Sequence, residues 1–193
     1  MITLKEPLQD SPQREMVISN IIDSLENGRN FLVLGHKNPD EDCLASMVAI
    51  SLLISKFNRS AYLYISGIVH QHFQYLLQIC RYNSITVIRD DTIPEGGYDT
   101  IIACDTPKLA MLDCTTAMMD YITGGKIQLI EIDHHIGADS TYIAEKNLSF
   151  VDEASSACEL IGELALWITD HQEIRERNGI GVIFSRNLVL ALL

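Results

Sequence analysis

The sequence predicts an α/β protein with a Rossmann-like, mostly parallel sheet of five or more strands and helices on both faces. Three observations carry this. Short apolar runs recur at 31–34 (FLVL), 61–65 (AYLYI), 84–88 (SITVI), 100–104 (TIIAC) and 126–132 (KIQLIEI). Segments with helical apolar spacing separate them. The first run, FLVL, is apolar enough for a buried strand, and short apolar strands alternating with helices make a mostly parallel sheet covered on both faces.

Each element has its own local cause. Residues 1–12 carry Pro7 and Pro12 and read as an N-terminal arm ahead of a domain spanning 13–193. From 13 to 26, Met16, Val17, Ile18, Ile21, Ile22 and Leu25 make one helical stripe, and Asn27-Gly28 ends it. Strand 31–34 leads to a helix at 41–57. Strand 61–65 leads to a helix at 70–81, and strand 84–88 to a loop at 91–97 that carries Pro94 and Gly96-Gly97. Strand 100–104 precedes a helix from about 107 to 121. Gly124-Gly125 then punctuates the chain before strand 126–132. A short run at 148–151 precedes a helix at 154–169. The polar stretch DHQEIRERNG reads as a solvated connector to a last helix, which Ser185 can cap and in which Leu188, Val189, Leu192 and Leu193 are apolar.

Charge and cysteine usage narrow the function classes. The formal net charge is −12, from 14 basic and 26 acidic residues. A general nucleic-acid coat protein or an anionic-membrane binder carries the opposite balance, so neither a membrane partner nor stable binding to long DNA is expected. A small anionic substrate stays compatible, because bound cations reverse the sign locally. The five cysteines lie at 43, 80, 104, 114 and 158, an odd number without zinc-knuckle or redox-pair spacing. They read as reduced, small apolar residues, which favours a cytoplasmic setting. The first 15 residues are too polar for a signal peptide, and the apolar run at 44–54 is too short to span a bilayer.

Parallel sheets bind ligands at the carboxyl ends of their strands. After the first strand comes Gly35-His36-Lys37-Asn38-Pro39-Asp40-Glu41-Asp42-Cys43, with His, Asp and Asp in H-x3-D-x-D spacing. After the fourth comes Asp105-Thr106-Pro107, and after the fifth Asp133-His134-His135. Oxygen-rich sites with one or two imidazoles and no thiolate suit Mn²⁺ or Mg²⁺. Clustered carboxylates repel one another unless cations neutralise them. Two such cations sharing a carboxylate can hold a phosphate and stabilise in-line displacement at phosphorus. Blander roles stay open here. Asp40 or Asp42 can cap the following helix, and Asp105 can cap one beginning at Thr106-Pro107. Capping alone does not place histidines beside acids at three strand ends.

These motifs resemble the DHH phosphoesterase superfamily. GHKNPDEDCLAS is similar to its first motif, CDTP to its second and IDHH to its third, and VDEASSACELIGEL is similar to the segment that follows. The resemblance runs from about residue 14 to the end. It implies that His36 and Asp40 hold one metal, usually Mn²⁺, that Asp42 and His134 hold a second, and that Asp105 bridges the two. It implies that His135 binds the substrate phosphate and that Asp133 orients its neighbours. Asp105, His134 and His135 are then the catalytic set.

The resemblance is incomplete. Cys43 and Ala45 stand where many members carry Ala and Gly, and Glu153 stands for a common Pro. The family's fourth motif, an Asp at another strand end, and its smaller substrate-binding domain find no match, so the domain reads as truncated at its C-terminal end. Asp170, His70 and His72 read as surface residues. Lys37, Lys108, Arg175, Arg177 and Arg186 form no basic stripe. The expected function is metal-dependent hydrolysis of phosphodiester or phosphomonoester bonds in short oligonucleotides or small nucleotides, with two Mn²⁺ ions, or Mg²⁺. Homodimerisation is compatible with the sequence. The alternatives are an inorganic pyrophosphatase or exopolyphosphatase, a non-catalytic nucleotide-binding module, or a Rossmann-like protein whose acids merely cap helices.

Overall fold

A computed structural model describes residues 3–8, 11–124 and 127–193. Part of the expected arm (residues 1, 2, 9 and 10), Gly125 of the Gly-Gly pair and the Lys126 start of the fifth strand lie outside the described residues.

Six parallel strands form one sheet. They are β1 (Asn30–Leu34), β2 (Ser60–Tyr64), β3 (Thr86–Ile88), β4 (Thr100–Cys104), β5 (Gln128–Asp133) and β6 (Ser149–Val151), in the order β3-β2-β1-β4-β5-β6. All five pairings are parallel. The sixth strand is the short run at 148–151, paired to β5 from Glu131–Ser149 to Asp133–Val151. The order reverses between β1 and β4, which opens a crevice at their carboxyl ends, where open α/β sheets bind ligands.

Period-two strand geometry splits the core. Phe31 and Val33 of β1 face one apolar layer, and Leu32 and Leu34 face the other. The first layer takes α1 (Ser11–Asn27), α2 (Glu41–Lys56), α3 (Gln74–Tyr82), α5 (Ala157–Asp170), α6 (Gln172–Arg177) and α7 (Arg186–Leu192). The second takes α4 (Thr116–Thr123), through Met118 and Ile122. Every residue of α2 from Cys43 to Ile54 is buried, which suits a helix apolar all round, enclosed by β1, β2, α3, α5 and α7. A Cβ on Gly35 would collide with Cys43 Sγ and Met47 Sδ, so glycine lets the turn after β1 lie directly on α2.

Three expectations are corrected. The helix expected from about 107 to 121 does not start at Pro107. A single 3-10 turn forms at Leu109–Met111, Leu112 bridges to His36, and α4 begins only at Thr116 with Thr115 Oγ1 accepting from Met118 N. The chain is held out of helix by partners across the crevice. Asp113 N donates to Gly35 O (2.8 Å), Lys37 N to Met111 O (3.0 Å), and the buried Asp113 carboxylate accepts from Ser66 N and Ser66 Oγ. The helix expected at 70–81 is preceded by a 3-10 turn, Gln71–Phe73, so α3 proper starts at Gln74. The connector DHQEIRERNG contains α6, because Ile174 is buried and Arg177 makes a two-pronged pair with Glu26 (2.6 Å for each nitrogen).

Candidate metal centre

The local fold delivers the strand-end residues to one crevice. His36 leaves β1, Asp105 leaves β4, and His134 and His135 leave β5. Asp105 adopts φ 47°, the left-handed region that Asp tolerates better than most residues. That backbone turn replaces the helix start expected at Thr106-Pro107, so Asp105 caps no helix among the described residues. Its side chain is 3% exposed.

One carboxylate faces three imidazoles. Asp105 Oδ2 lies 3.7 Å from His36 Nε2, and Asp105 Oδ1 lies 3.3 Å from His134 Nε2 and 3.5 Å from His135 Nδ1. The other two aspartates divide in the same way. Asp40 Oδ1 is 3.8 Å from His36 Nε2, and Asp42 Oδ2 is 3.6 Å from His134 Nε2. His36 Nδ1 is engaged by Lys37 O (2.9 Å) and His134 Nδ1 by Ala154 O (3.2 Å). Backbone carbonyls on Nδ1 fix each ring and leave Nε2 facing the crevice, an arrangement that supports a histidine for metal binding.

The expected residues are not equally gathered. Ligand atoms of Asp105, His134 and His135 lie within 4.8 Å of one another, as do those of His36, Asp105 and Cys43. Asp40 stands at the rim, 68% exposed, and its Oδ1 also accepts from Cys43 N (3.0 Å). The capping role left open for it is therefore real. Asp42 instead caps another helix, accepting from Ala157 N (2.8 Å) and Cys158 N (3.1 Å) at the start of α5. Asp133 is fully buried and its Oδ1 lies 2.8 Å from His135 Nδ1. Glu41 points outward to Tyr75 Oη (3.4 Å), and Asp170, His70 and His72 are exposed. Burial pushes the Cys43 thiol well above its ordinary range, keeping it a neutral neighbour of the cluster.

Two features fit divalent cations. Asp105 Oδ1 is buried without an aligned hydrogen bond, a costly state for a carboxylate oxygen unless a cation meets it. The Asp105 carboxylate also pushes the His134 imidazole up to about 9, although burial pulls the other way. The ring is thus drawn toward positive charge. Oxygen and imidazole donors of this kind suit Mn²⁺ or Mg²⁺.

One residue escaped the sequence reading. Lys5, in the segment read as an arm, is 1% exposed, and its Nζ reaches Asp133 Oδ2 (2.5 Å), Thr106 O (2.7 Å) and Glu131 Oε1 (2.7 Å). A lone lysine between Leu4 and Pro7 carries no local signal of this role.

Residues 30–190 match the family described as "DHH family, N-terminal domain". The chain belongs to the DHH family. Members of the DHH family are phosphoesterase hydrolases. No curated protein matches the sequence. Among solved structures, an exopolyphosphatase-related protein from Bacteroides fragilis shares the fold, with TM-score 0.60 and 17% identity over 92% of this chain. This chain spans 56% of that protein's length. RecJ from Thermus thermophilus, solved in complex with Mn²⁺, aligns at TM-score 0.42 and 12% identity, over 91% of this chain and 22% of its own. Among the described residues, no helix is long and apolar enough to cross a membrane.

Proposed function

We propose that this DHH domain hydrolyses phosphodiester or phosphomonoester bonds in short oligonucleotides or small nucleotides, using two divalent cations, Mn²⁺ by preference. One observation carries the reading. The buried Asp105 turns one oxygen toward His36 and the other toward His134, the disposition a bridging carboxylate needs. His36 and Asp40 would hold one cation, Asp42 and His134 the other, and Asp105 would serve both. Cations held there would supply Lewis acidity at the phosphate and acidify a water for attack.

The chain's own groups do the positioning. His135, held by Asp133 on Nδ1, presents its remaining nitrogen to a substrate phosphate oxygen. The carbonyls of Lys37 and Ala154 keep the two ligand imidazoles from rotating. The acidic balance of the chain disfavours a long polyanion and leaves a short substrate as the better fit.

The test is turnover of a dinucleotide and of bis-(p-nitrophenyl) phosphate with Mn²⁺, in the intact chain and in Asp105→Asn. Asn keeps the shape and tolerates the left-handed backbone but supplies one weak acceptor. We expect a rate loss on the order of 10²–10³-fold, in the range of losing a group that stabilises charge in the transition state. A variant within tenfold of the parent would overturn the bridging role. Phosphate release from tripolyphosphate or pyrophosphate, with the esters untouched, would move the substrate class to the polyphosphates. Nucleotide binding without any turnover would make the domain a binding module.

A further inference from the structure

The N-terminal segment is built into the candidate centre. Leu4 bridges antiparallel to Thr141, Lys5 N donates to Ser140 O (3.1 Å), and Tyr142 N donates to Thr3 O (3.3 Å). Thr141 N in turn donates to Pro107 O (2.9 Å). The segment therefore joins the loop after β4, which carries Asp105, to the loop after β5, which carries His134 and His135. From this bridge the Lys5 side chain turns into the protein. Its ammonium donates to Thr106 O, one residue past Asp105, and to Asp133 Oδ2, and it pairs by charge alone with Glu131 Oε1, which has no aligned hydrogen bond.

The two carboxylates differ in what else they hold. Glu131 Oε2 accepts from Ile143 N (3.1 Å) and Ser149 Oγ (3.0 Å), so its remaining contacts are structural. Asp133 has Lys5 on one oxygen and His135 on the other. Lys5, Asp133 and His135 thus form a buried chain ending at an imidazole in the crevice, 3.5 Å from Asp105.

We propose that Lys5 is a positioning residue for the phosphoesterase reaction: its ammonium locks the Asp133 carboxylate so that His135 keeps its Nδ1–H on Asp133 and offers Nε2 to the substrate phosphate. The catalytic part of this rests on the reading given under Proposed function. The geometric part does not. Two carboxylates buried on alternate residues of one strand stay charged together only with a buried cation beside them; otherwise one must take up a proton. A carboxylate held from behind fixes both the tautomer and the ring plane of the histidine in front of it.

The test uses the full chain in three forms: Lys5→Met, Glu131→Gln, and the two combined. Lys5→Met leaves two carboxylates facing each other and has the greatest risk of not folding. The combined variant removes a charge of each sign, so it keeps the charge balance while still depriving Asp133 of its ammonium. Two readouts are taken. One is kcat and KM on bis-(p-nitrophenyl) phosphate with Mn²⁺. The other is the tautomer of the neutral His135 ring, read from its ¹⁵N side-chain shifts without any substrate.

We expect the combined variant to bind Mn²⁺ with parent stoichiometry, to lose at least tenfold in kcat with KM within twofold, and to show a mixed His135 tautomer. Glu131→Gln alone, with Lys5 still on Asp133, keeps the parent kcat and the Nδ1–H tautomer. A folded combined variant with parent kcat and parent tautomer would overturn the proposal. So would an equal loss in Glu131→Gln, since the effect would then belong to the buried cluster as a whole. If the parent chain turns over no phosphate ester, the reaction assignment fails, and the His135 spectra still decide whether Lys5 sets the imidazole.

Discussion

His134 is the residue where fold stability and the proposed metal binding meet. The Asp105 carboxylate holds its imidazole up at about 9 against an ordinary value of 6.5. A group whose folded-state pKa is raised stabilises the fold fully below the unfolded value and loses that contribution as pH rises through the folded value. The metal-free protein should therefore melt at progressively lower temperature between about pH 6.5 and about pH 9. His134→Asn should flatten that slope in a thermal scan with chelator present; an unchanged slope would place its origin elsewhere. Protons and cations compete for the same nitrogen, so Mn²⁺ binding should tighten over the same window. At this scale much was legible in the sequence. His36, Asp105, His134 and His135 stand at strand ends, and strand ends of a parallel sheet converge. Lys5 was not legible, because its partners Thr106 and Asp133 lie 101 and 128 residues away.

Among the elements, α5 is the one the centre leans on. Its N-terminus is satisfied twice, by Ser156 Oγ accepting from Glu159 N (3.1 Å) and by the Asp42 carboxylate accepting from Ala157 N and Cys158 N. An anion is also stabilised at a helix N-terminus by the macrodipole. The two caps should separate under mutation. Ser156→Ala should cost about 1 kcal/mol in urea unfolding and leave Mn²⁺ binding as it was. Asp42→Ala should cost a similar amount without metal and, if Asp42 is the ligand proposed above, a larger amount with it, because one change would then remove a cap and a ligand. Equal losses with and without Mn²⁺ would exclude Asp42 from the centre. Element boundaries were less legible than element types. Apolar spacing from 107 to 121 is compatible with a continuous helix. What interrupts it is Asp113, whose partners Ser66 and Gly35 belong to other strand ends. In the same way, α6 exists because Ile174 finds the core and Arg177 finds Glu26, and neither is visible in the stretch DHQEIRERNG.

For the molecule as a whole, the strand order places the switch point beneath the aspartates and histidines. Cations that bind only the folded chain must stabilise all of it. At a hundredfold excess over Kd, Mn²⁺ should add about 2.7 kcal/mol per site, roughly 5–10 °C in Tm for a chain of this size. The shift should be lost in Asp105→Asn, and an identical shift in that variant would mean that the cation binds elsewhere. The α/β class and the metal-binding character follow from the chain's local chemistry, because apolar period and short motifs are properties of neighbouring residues. The order β3-β2-β1-β4-β5-β6, the sharing of Asp105 among three imidazoles and the burial of Lys5 behind Asp133 were decided only in three dimensions. Each depends on which strand ends become neighbours and which oxygen then faces which nitrogen, and that is set by sheet packing across the whole chain.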